Sequence, residues 1–244
     1  MKNKGWYFSK TQKKADSGVN RYHQGTRNRP GFSAFLDAKQ REMIKLKKQL
    51  RAEAMTRGER MAVALNIILI LLELWAARMV ASRGWKNLIF YTQLSNALTA
   101  LSSLALVGAS AFGQSSGVTA LRYTSVCMMV MTAVVTAAIL VPMGGDPKML
   151  LWGGSGLYHN VLCPALTTVS YLFFENHAGP GMIWLPMTVT LVYGLIMLWL
   201  NWKRIVDGPY PFFRVHHQSP VATVIWMAAL VGMVGLISWA ISLC

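Results

Sequence analysis

Two side chains suited to acyl transfer, a threonine hydroxyl and a histidine imidazole, lie inside hydrophobic stretches of this sequence. Thr92 belongs to FYTQLSNALTALSSLALVG, residues 90–108, and His159 belongs to GLYHNVLCPALTTVSY. An imidazole takes the proton of a hydroxyl during nucleophilic attack and returns it to the leaving group, which is the smallest unit of covalent acyl-transfer catalysis. Thr92 is therefore the candidate nucleophile and His159 the candidate base.

Further polar side chains surround Thr92 at the start of its stretch. Tyr91, Gln93 and Asn96 are candidate donors to an oxyanion, an effect that strengthens in a dry site. Structural roles stay open for the same residues. Hydroxyl groups in membrane helices commonly bond their own backbone or a neighbouring helix, and His159 alone would serve to bond a nearby carbonyl.

A carboxyl group lies near the middle of the first hydrophobic segment, NIILILLELWAARMV. This residue is Glu73, and an unpaired negative charge at that depth in a membrane is expensive. Three interpretations remain open: Glu73 orients His159 as the carboxylate of a triad does, it is protonated, or it pairs with Arg78.

The elements that must position these residues are six hydrophobic segments, each near the roughly 20 residues that a helix needs to cross a bilayer. Because lipid offers the backbone no other hydrogen-bond partners, each segment is expected to be helical. The predicted spans are residues 61–82, 88–112, 119–142, 151–174, 182–202 and 220–242. The predicted fold class is all-α, a polytopic membrane protein whose six-transmembrane-helix bundle occupies residues 61–244.

The order of the spans predicts where Thr92 and His159 lie. Successive spans alternate in direction, so the second and the fourth enter the membrane from the same face. Thr92 is expected roughly 6 Å below that face and His159 roughly 12 Å below it, at 1.5 Å per residue. The two side chains meet if those two helices pack together, with the loop 203–219 on the same side.

The charges divide the chain into a basic tail and a membrane body. The chain is 54% hydrophobic and 14% charged, and residues 1–60 hold 16 of the 24 Lys and Arg residues but only 5 of the 9 acidic ones. Residues 1–31 are polar and are expected to be disordered. Residues 32–60 are predicted to form an amphipathic helix in the membrane interface that binds anionic headgroups, with a solvated charged helix as the alternative. A nucleic-acid partner is not expected.

The tail also bears on the orientation. No signal peptide is expected, since the first apolar run begins near residue 61. A tail of this charge is expected to stay in the cytoplasm, which places both termini there if the spans number six. The positive-inside rule applied to the short loops alone predicts the reverse orientation, because a cytoplasmic tail places their basic residues outside the cell. These residues are Arg83, Lys86, Lys203, Arg204 and Arg214.

Metal and cofactor sites are not indicated. Cys163 follows His159 by one helical turn, but the spans offer no second histidine and no nearby cysteine to complete a metal or haem site. The run CMMVM, from Cys127 to Met131, is more typical of packing than of a copper site, because successive side chains on a helix point in different directions.

Three short motifs together resemble a known family. YTQLSN in the second span, LYHNVLCP in the fourth, and VYGLIMLWLNWK followed by DGPYPFF resemble the androgen-induced family of multi-pass membrane threonine hydrolases and its bacterial relatives. The resemblance covers roughly residues 60–215. It implies that Thr92 is the nucleophile, that His159 is the base, and that the substrate is an ester of the type formed by fatty acids with hydroxy fatty acids.

The function expected from these observations is intramembrane hydrolysis of a lipid ester. The substrate would enter sideways from the bilayer, with membrane lipids as its surroundings, in a bacterial cell membrane. Two other functions remain open. One is a transporter or channel whose pathway is lined by Glu73, Asn96 and His159, and the other is a non-catalytic membrane scaffold.

Overall fold

A computed structural model describes residues 32–81, 84, 89–112 and 115–244 of the chain. All regular structure in these residues is helical, and no strand occurs among them. The predicted disordered tail, residues 1–31, lies outside the described residues. The chain divides into two compact units, Met1–Gln49 and Leu50–Cys244.

The α-helices of the described residues are labelled α1 to α7 in chain order. They are α1 Phe32–Ala81, α2 Tyr91–Phe112, α3 Ser116–Val135, α4 Gly154–Leu157, α5 Cys163–Phe174, α6 Trp184–Trp202 and α7 Pro220–Ser242. Between them lie wider π-helical turns at Thr136–Leu140, Lys148–Trp152 and Tyr158–Leu162. Tighter 3-10 turns occur at Pro180–Met182, Pro211–Phe213 and Val215–His217.

The first helix extends over two segments that the sequence separates into an interfacial helix, residues 32–60, and a span, residues 61–82. A single helix, Phe32–Ala81, covers both. No proline lies within it, and Ala, Leu, Lys and Glu favour helix throughout, so nothing ends the helix at the predicted boundary. Within the first compact unit, apolar side chains such as Phe35 and Met43 are exposed.

Four helices of the described residues are long and apolar enough to cross a membrane. They are Arg57–Ala81, Ser116–Leu140, Pro180–Trp202 and Pro220–Ser242. They coincide with the first, third, fifth and sixth predicted spans, and with the all-helical fold they support an integral membrane protein. The remaining two predicted spans differ in character. Serine, threonine and asparagine reduce the hydropathy of α2, and the fourth segment is divided into α4, a π turn and α5.

The centre of the second unit is α3, which packs against α2, α5, α6 and α7. Every residue from Arg122 to Met129 is buried. Eight consecutive buried residues cover all faces of a helix, so α3 is enclosed by its neighbours there. The helix begins at Ser115, whose hydroxyl accepts the Val118 N–H as an N-cap.

The loop between α6 and α7 folds into the bundle instead of lying on its surface. Tyr210, Phe212 and Phe213 are buried in one cluster with Tyr193 of α6. A tight turn makes this return possible, since a Cβ on Gly208 would lie 2.7 Å from the backbone of Phe213. The aromatic residues of the motif DGPYPFF therefore lie inside the protein.

Candidate functional site

The polar side chains at the start of α2 bond to protein atoms. They are buried or half-buried, and they comprise Tyr91, Thr92, Gln93, Ser95 and Asn96. The Tyr91 hydroxyl lies 2.8 Å from Thr190 Oγ1 on α6, and Ser95 Oγ lies 2.9 Å from Thr132 Oγ1 on α3. Two members of the cluster therefore fasten α2 to its neighbours, which leaves Thr92, Gln93 and Asn96 for the site itself.

His159 lies in the π-helical turn Tyr158–Leu162 and is 3% exposed. Its Nδ1 is 2.9 Å from the side-chain nitrogen of Gln93, while its Nε2 is buried and has no hydrogen-bond partner. Single π turns inside helices are frequent at functional sites. The imidazole is thus held by one nitrogen, and the other is free for a proton transfer.

The side chain that holds the imidazole is an amide, and its orientation selects the tautomer. With the Gln93 amide nitrogen donating to Nδ1, the neutral ring carries its proton on Nε2. If the amide is rotated by half a turn, the Gln93 carbonyl accepts from Nδ1–H and the lone pair moves to Nε2. Only the second arrangement makes Nε2 a base.

Thr92 is bonded to Tyr210, which was not among the site residues predicted from the sequence. The Tyr210 hydroxyl lies 3.5 Å from Thr92 Oγ1 and accepts the Thr92 backbone N–H at 3.4 Å. Burial raises the pKa of Tyr210, and the hydrogen bonds with Thr92 lower it only in part, so the phenol stays neutral and able to donate. No hydrogen bond joins Thr92 to His159, because Nδ1 is engaged by Gln93 and Nε2 is unpaired.

Thr92, Gln93 and His159 nevertheless line one cavity of about 830 Å³. Its wall continues along the glycine-rich segment 143–156, which includes Asp146 and Lys148, and along Pro209–Pro211. This segment packs tightly enough to require glycine, since a Cβ on Gly153 would lie 2.8 Å from the Lys148 carbonyl oxygen. The Thr92 hydroxyl and the His159 imidazole thus belong to one pocket, as the order of the spans predicts, without direct contact between them.

A second, narrow cavity of about 30 Å³ adjoins the first. Its walls are mostly apolar and come from α2, α3, α6, α7 and the aromatic loop. Thr92, Thr136, Leu140 and Tyr210 line both cavities. Thr92 therefore lies where a wide cavity that contains polar groups meets a narrow apolar one.

Asn96 joins the backbones of the two candidate catalytic residues. Its Nδ2 donates to the Thr92 carbonyl at 2.6 Å and to the His159 carbonyl at 3.5 Å. Its Oδ1 is buried without a partner. Asn96 thus links α2 to the π turn of His159, and its amide nitrogen is already engaged by backbone atoms.

Glu73 lies deeper than the imidazole. Its carboxyl lies beside the thiol of Cys163, one turn beyond His159, and its Oε1 has no partner. The hydrogen-bonding position on the ring that the sequence offered to Glu73 is occupied by Gln93. The third interpretation, a pair with Arg78, has no support, since Arg78 is exposed and Glu73 is buried.

A second polar cluster, which the sequence interpretation missed, surrounds Arg122 of α3 and Glu175 at the end of α5. Arg122 Nε and Nη2 donate to the two Glu175 oxygens at 2.8 Å each, and both side chains are 1% exposed. Arg122 Nη1 also donates to Ser102 and Ser103 of α2. An arginine inside the apolar stretch TALRYTSVCMM was the sequence signal for this cluster.

In the part of the chain that the structure describes, no three His, Cys, Asp or Glu side chains are grouped so as to hold a metal ion. Comparison of the chain with protein-family models, with curated proteins and with solved structures finds no match. The function has therefore to be inferred from the side chains around the cavity.

Proposed function

We propose that this protein is an intramembrane hydrolase of lipid esters, with Thr92 as nucleophile and His159 as base. The observation that supports it is the shared cavity, which is lined by the half-buried Thr92 and by the buried His159 with its unpaired Nε2. The motifs around both residues also resemble those of membrane threonine hydrolases. Buried ionisable groups in membrane segments are costly, and they are commonly functional.

The reaction would proceed through an acyl-threonine. Nε2 of His159 takes the Thr92 proton as Oγ1 attacks the ester carbonyl carbon, and the bond to the alcohol breaks as that proton passes to the leaving oxygen. A water molecule, deprotonated by the same nitrogen, then releases the fatty acid and restores the threonine. Gln93 supports both steps when its carbonyl accepts from Nδ1–H, because the lone pair then resides on Nε2.

Tyr210 is the proposed donor to the oxyanion. Its hydroxyl lies 3.5 Å from Thr92 Oγ1, and the oxyanion forms on the carbon bonded to that oxygen. Attack requires Thr92 to turn from Tyr210 toward His159. Such hydrogen bonds are commonly long without substrate and shorten in the reacting complex.

The two cavities suit the two ends of a lipid ester. The wide cavity offers polar groups and room for the ester and its water, whereas the narrow one offers an apolar channel to an acyl chain. At about 30 Å³ the narrow cavity has to widen to hold a chain. Met131 and Met227 line it, and the flexible methionine side chain allows such widening.

A fluorophosphonate probe tests this proposal in the purified protein. Labelling is expected for the wild type, absent in Thr92→Ala, and reduced in His159→Ala. Thr99→Ala is the matched control, because Thr99 lies on the same helix and bonds to Ser125, away from the cavity. A folded wild type that is neither labelled nor active on long-chain esters would exclude the enzyme.

The proposed membrane arrangement has six spans, adding α2 and the segment Gly154–Phe174 to the four apolar helices. Both termini then lie on one side, which we assign to the cytoplasm of a bacterial cell because of the basic tail. The tail would bind anionic headgroups. Binding to vesicles with and without phosphatidylglycerol, compared between the full chain and one lacking residues 1–31, measures this contribution.

A further inference from the structure

Helices α1 and α5 run antiparallel where one hydrogen bond and one close contact join them. Asn66 Nδ2 donates to Ser170 Oγ at 3.1 Å, and the Cys163 thiol lies beside the Glu73 carboxyl. The partners are seven residues apart on each helix, which is two turns, or about 10 Å. One polar column therefore runs along this interface.

Buried polar atoms without a partner occur on both helices of this interface, namely Asn66 Oδ1 and Glu73 Oε1 of α1 and Thr167 Oγ1 of α5. Outside the interface, Asn96 Oδ1 on α2 and His159 Nε2 in the π turn before α5 are likewise buried and unpaired. Buried polar groups in folded proteins are almost always paired, with ordered water where the protein supplies no partner. Several unpaired groups along one interface therefore indicate internal water.

The position of Asn96 connects this column to the cavity. Asn96 donates to the His159 carbonyl oxygen. In a helix that carbonyl points toward the C-terminus, here toward Cys163 and its partner Glu73. The Asn96 amide thus lies beside the backbone that leads from His159 to Cys163, the neighbour of Glu73, and His159 itself lines the cavity.

The opposite end of the column is closed. Glu175 Oε1 accepts from Asn66, Ser170 and Arg122, and Oε2 accepts from Arg122. Arg122 and Glu175 neutralise each other, both side chains are 1% exposed, and their polar atoms bond to protein groups, so this end offers a proton no free acceptor. We therefore expect exchange with water on the cavity side of Glu73.

We propose that Glu73 is a proton-binding site that exchanges its proton with the His159 cavity through internal water, past Asn96, while the Arg122–Glu175 ion pair closes the other end. The proposal goes beyond ester hydrolysis and does not depend on it. Where no cation is near, burying a protonated carboxyl group costs less free energy than burying a carboxylate. Glu73 would thus store a proton next to the imidazole.

Infrared spectroscopy of the protein in phosphatidylcholine vesicles tests the proposal. A carboxyl C=O band is expected in the wild type and its loss in Glu73→Gln assigns it. On transfer to D₂O the band is expected to shift rapidly, because water reaches the group. Asn96→Leu removes a polar position between Glu73 and the cavity, which is expected to slow the shift about tenfold or more.

Thr167→Val is the matched control, since it removes an unpaired oxygen on the far side of Glu73 at constant shape. It is expected to leave the exchange rate unchanged. The proposal is wrong if no protonated carboxyl band is present, if the wild-type band does not shift in D₂O, or if Thr167→Val slows exchange while Asn96→Leu does not. Proton flux across vesicles that contain the wild-type protein would show that the Arg122–Glu175 end is open, and it would indicate transport.

Thr92→Ala separates this proposal from the enzymatic one. The variant is expected to lose probe labelling and to keep the wild-type exchange of the Glu73 band. Failure of hydrolysis with normal exchange would leave the proton site intact, whereas labelling without exchange would support the enzyme alone.

Discussion

Replacing Arg122 with methionine removes one half of a buried ion pair and leaves the other half in place. Arg122 donates two hydrogen bonds of 2.8 Å to Glu175 and two of 3.1 and 3.2 Å to Ser102 and Ser103. Without it the Glu175 carboxylate keeps only the bonds from Ser170 and Asn66 and has no compensating charge. Removing one partner of such a pair costs about 3–5 kcal/mol of unfolding free energy.

The expected loss can be measured as a change in Tm. For a chain of this size 1 kcal/mol corresponds to about 2–4 °C, so Arg122→Met is expected to lower Tm by about 6–20 °C. Adding Glu175→Gln removes the unpaired charge but keeps an acceptor for Ser170 and Asn66, so the double variant is expected to recover most of the loss. Thermal unfolding in detergent micelles, followed by circular dichroism, gives the three values.

An exposed arginine provides the control for this experiment. Arg78→Met removes the same side chain from α1 at an exposed position, and its effect is expected to stay within about 1 kcal/mol. If Arg122→Met lowers Tm no more than Arg78→Met does, the ion pair does not stabilise the fold. If the double variant is less stable than Arg122→Met, the cost does not come from the unpaired carboxylate.

Three further predictions concern acid stability and the catalytic cavity. Burial raises the pKa of Glu175, but the charge and hydrogen bonds of Arg122 outweigh it and hold the pKa below its ordinary value of 4.5. The stability that the ionised Glu175 contributes is present above pH 4.5 and is lost as the pH falls through the lower pKa of the folded state. Tm of the wild type is therefore expected to fall in this acid range, whereas Tm of Arg122→Met should not show this fall. Gln93→Leu is expected to slow ester hydrolysis about a hundredfold, because the imidazole loses the hydrogen bond that fixes its tautomer. Gln93→Glu should retain more activity, since its carboxylate still accepts from Nδ1–H. Equal rates for the two variants would exclude Gln93 as the residue that fixes the tautomer. Tyr210→Phe is expected to lower kcat about a hundredfold with the Thr92 labelling site still present, and an unchanged kcat would exclude Tyr210 as oxyanion donor.

Much of the helical arrangement follows from hydropathy. The predicted spans 61–82, 119–142, 182–202 and 220–242 agree within a few residues with the apolar helices of the structure. Two spans are less clear, for a physical reason. The second carries a hydroxyl or amide at nearly every turn, and the fourth is interrupted by glycines and a π turn, so neither is a continuous apolar helix.

The site could be predicted only in part. The polar residues of YTQLSN and the histidine of LYHNVLCP were evident because such groups are costly in lipid. Tyr210 could not be found this way, since the return of its loop into the bundle depends on packing against α3, α6 and α7. The sequence also could not show that Gln93, and not Glu73, bonds to the imidazole, because this depends on which of the two side chains lies level with the ring.

The polar residues that make α2 a poor span by hydropathy have a structural use in residues 95–102. Below the cavity, three hydrogen bonds join α2 to α3 at intervals of three to four residues: Ser95 with Thr132, Thr99 with Ser125, and Ser102 with Arg122. Polar bonds of this kind contribute modestly to helix association in membranes, but they fix one register. Because Thr92 and Gln93 lie one turn above this ladder, α3 sets the depth and the rotation at which they face the cavity. The features that obscure α2 as a membrane span are thus the features that position the candidate nucleophile.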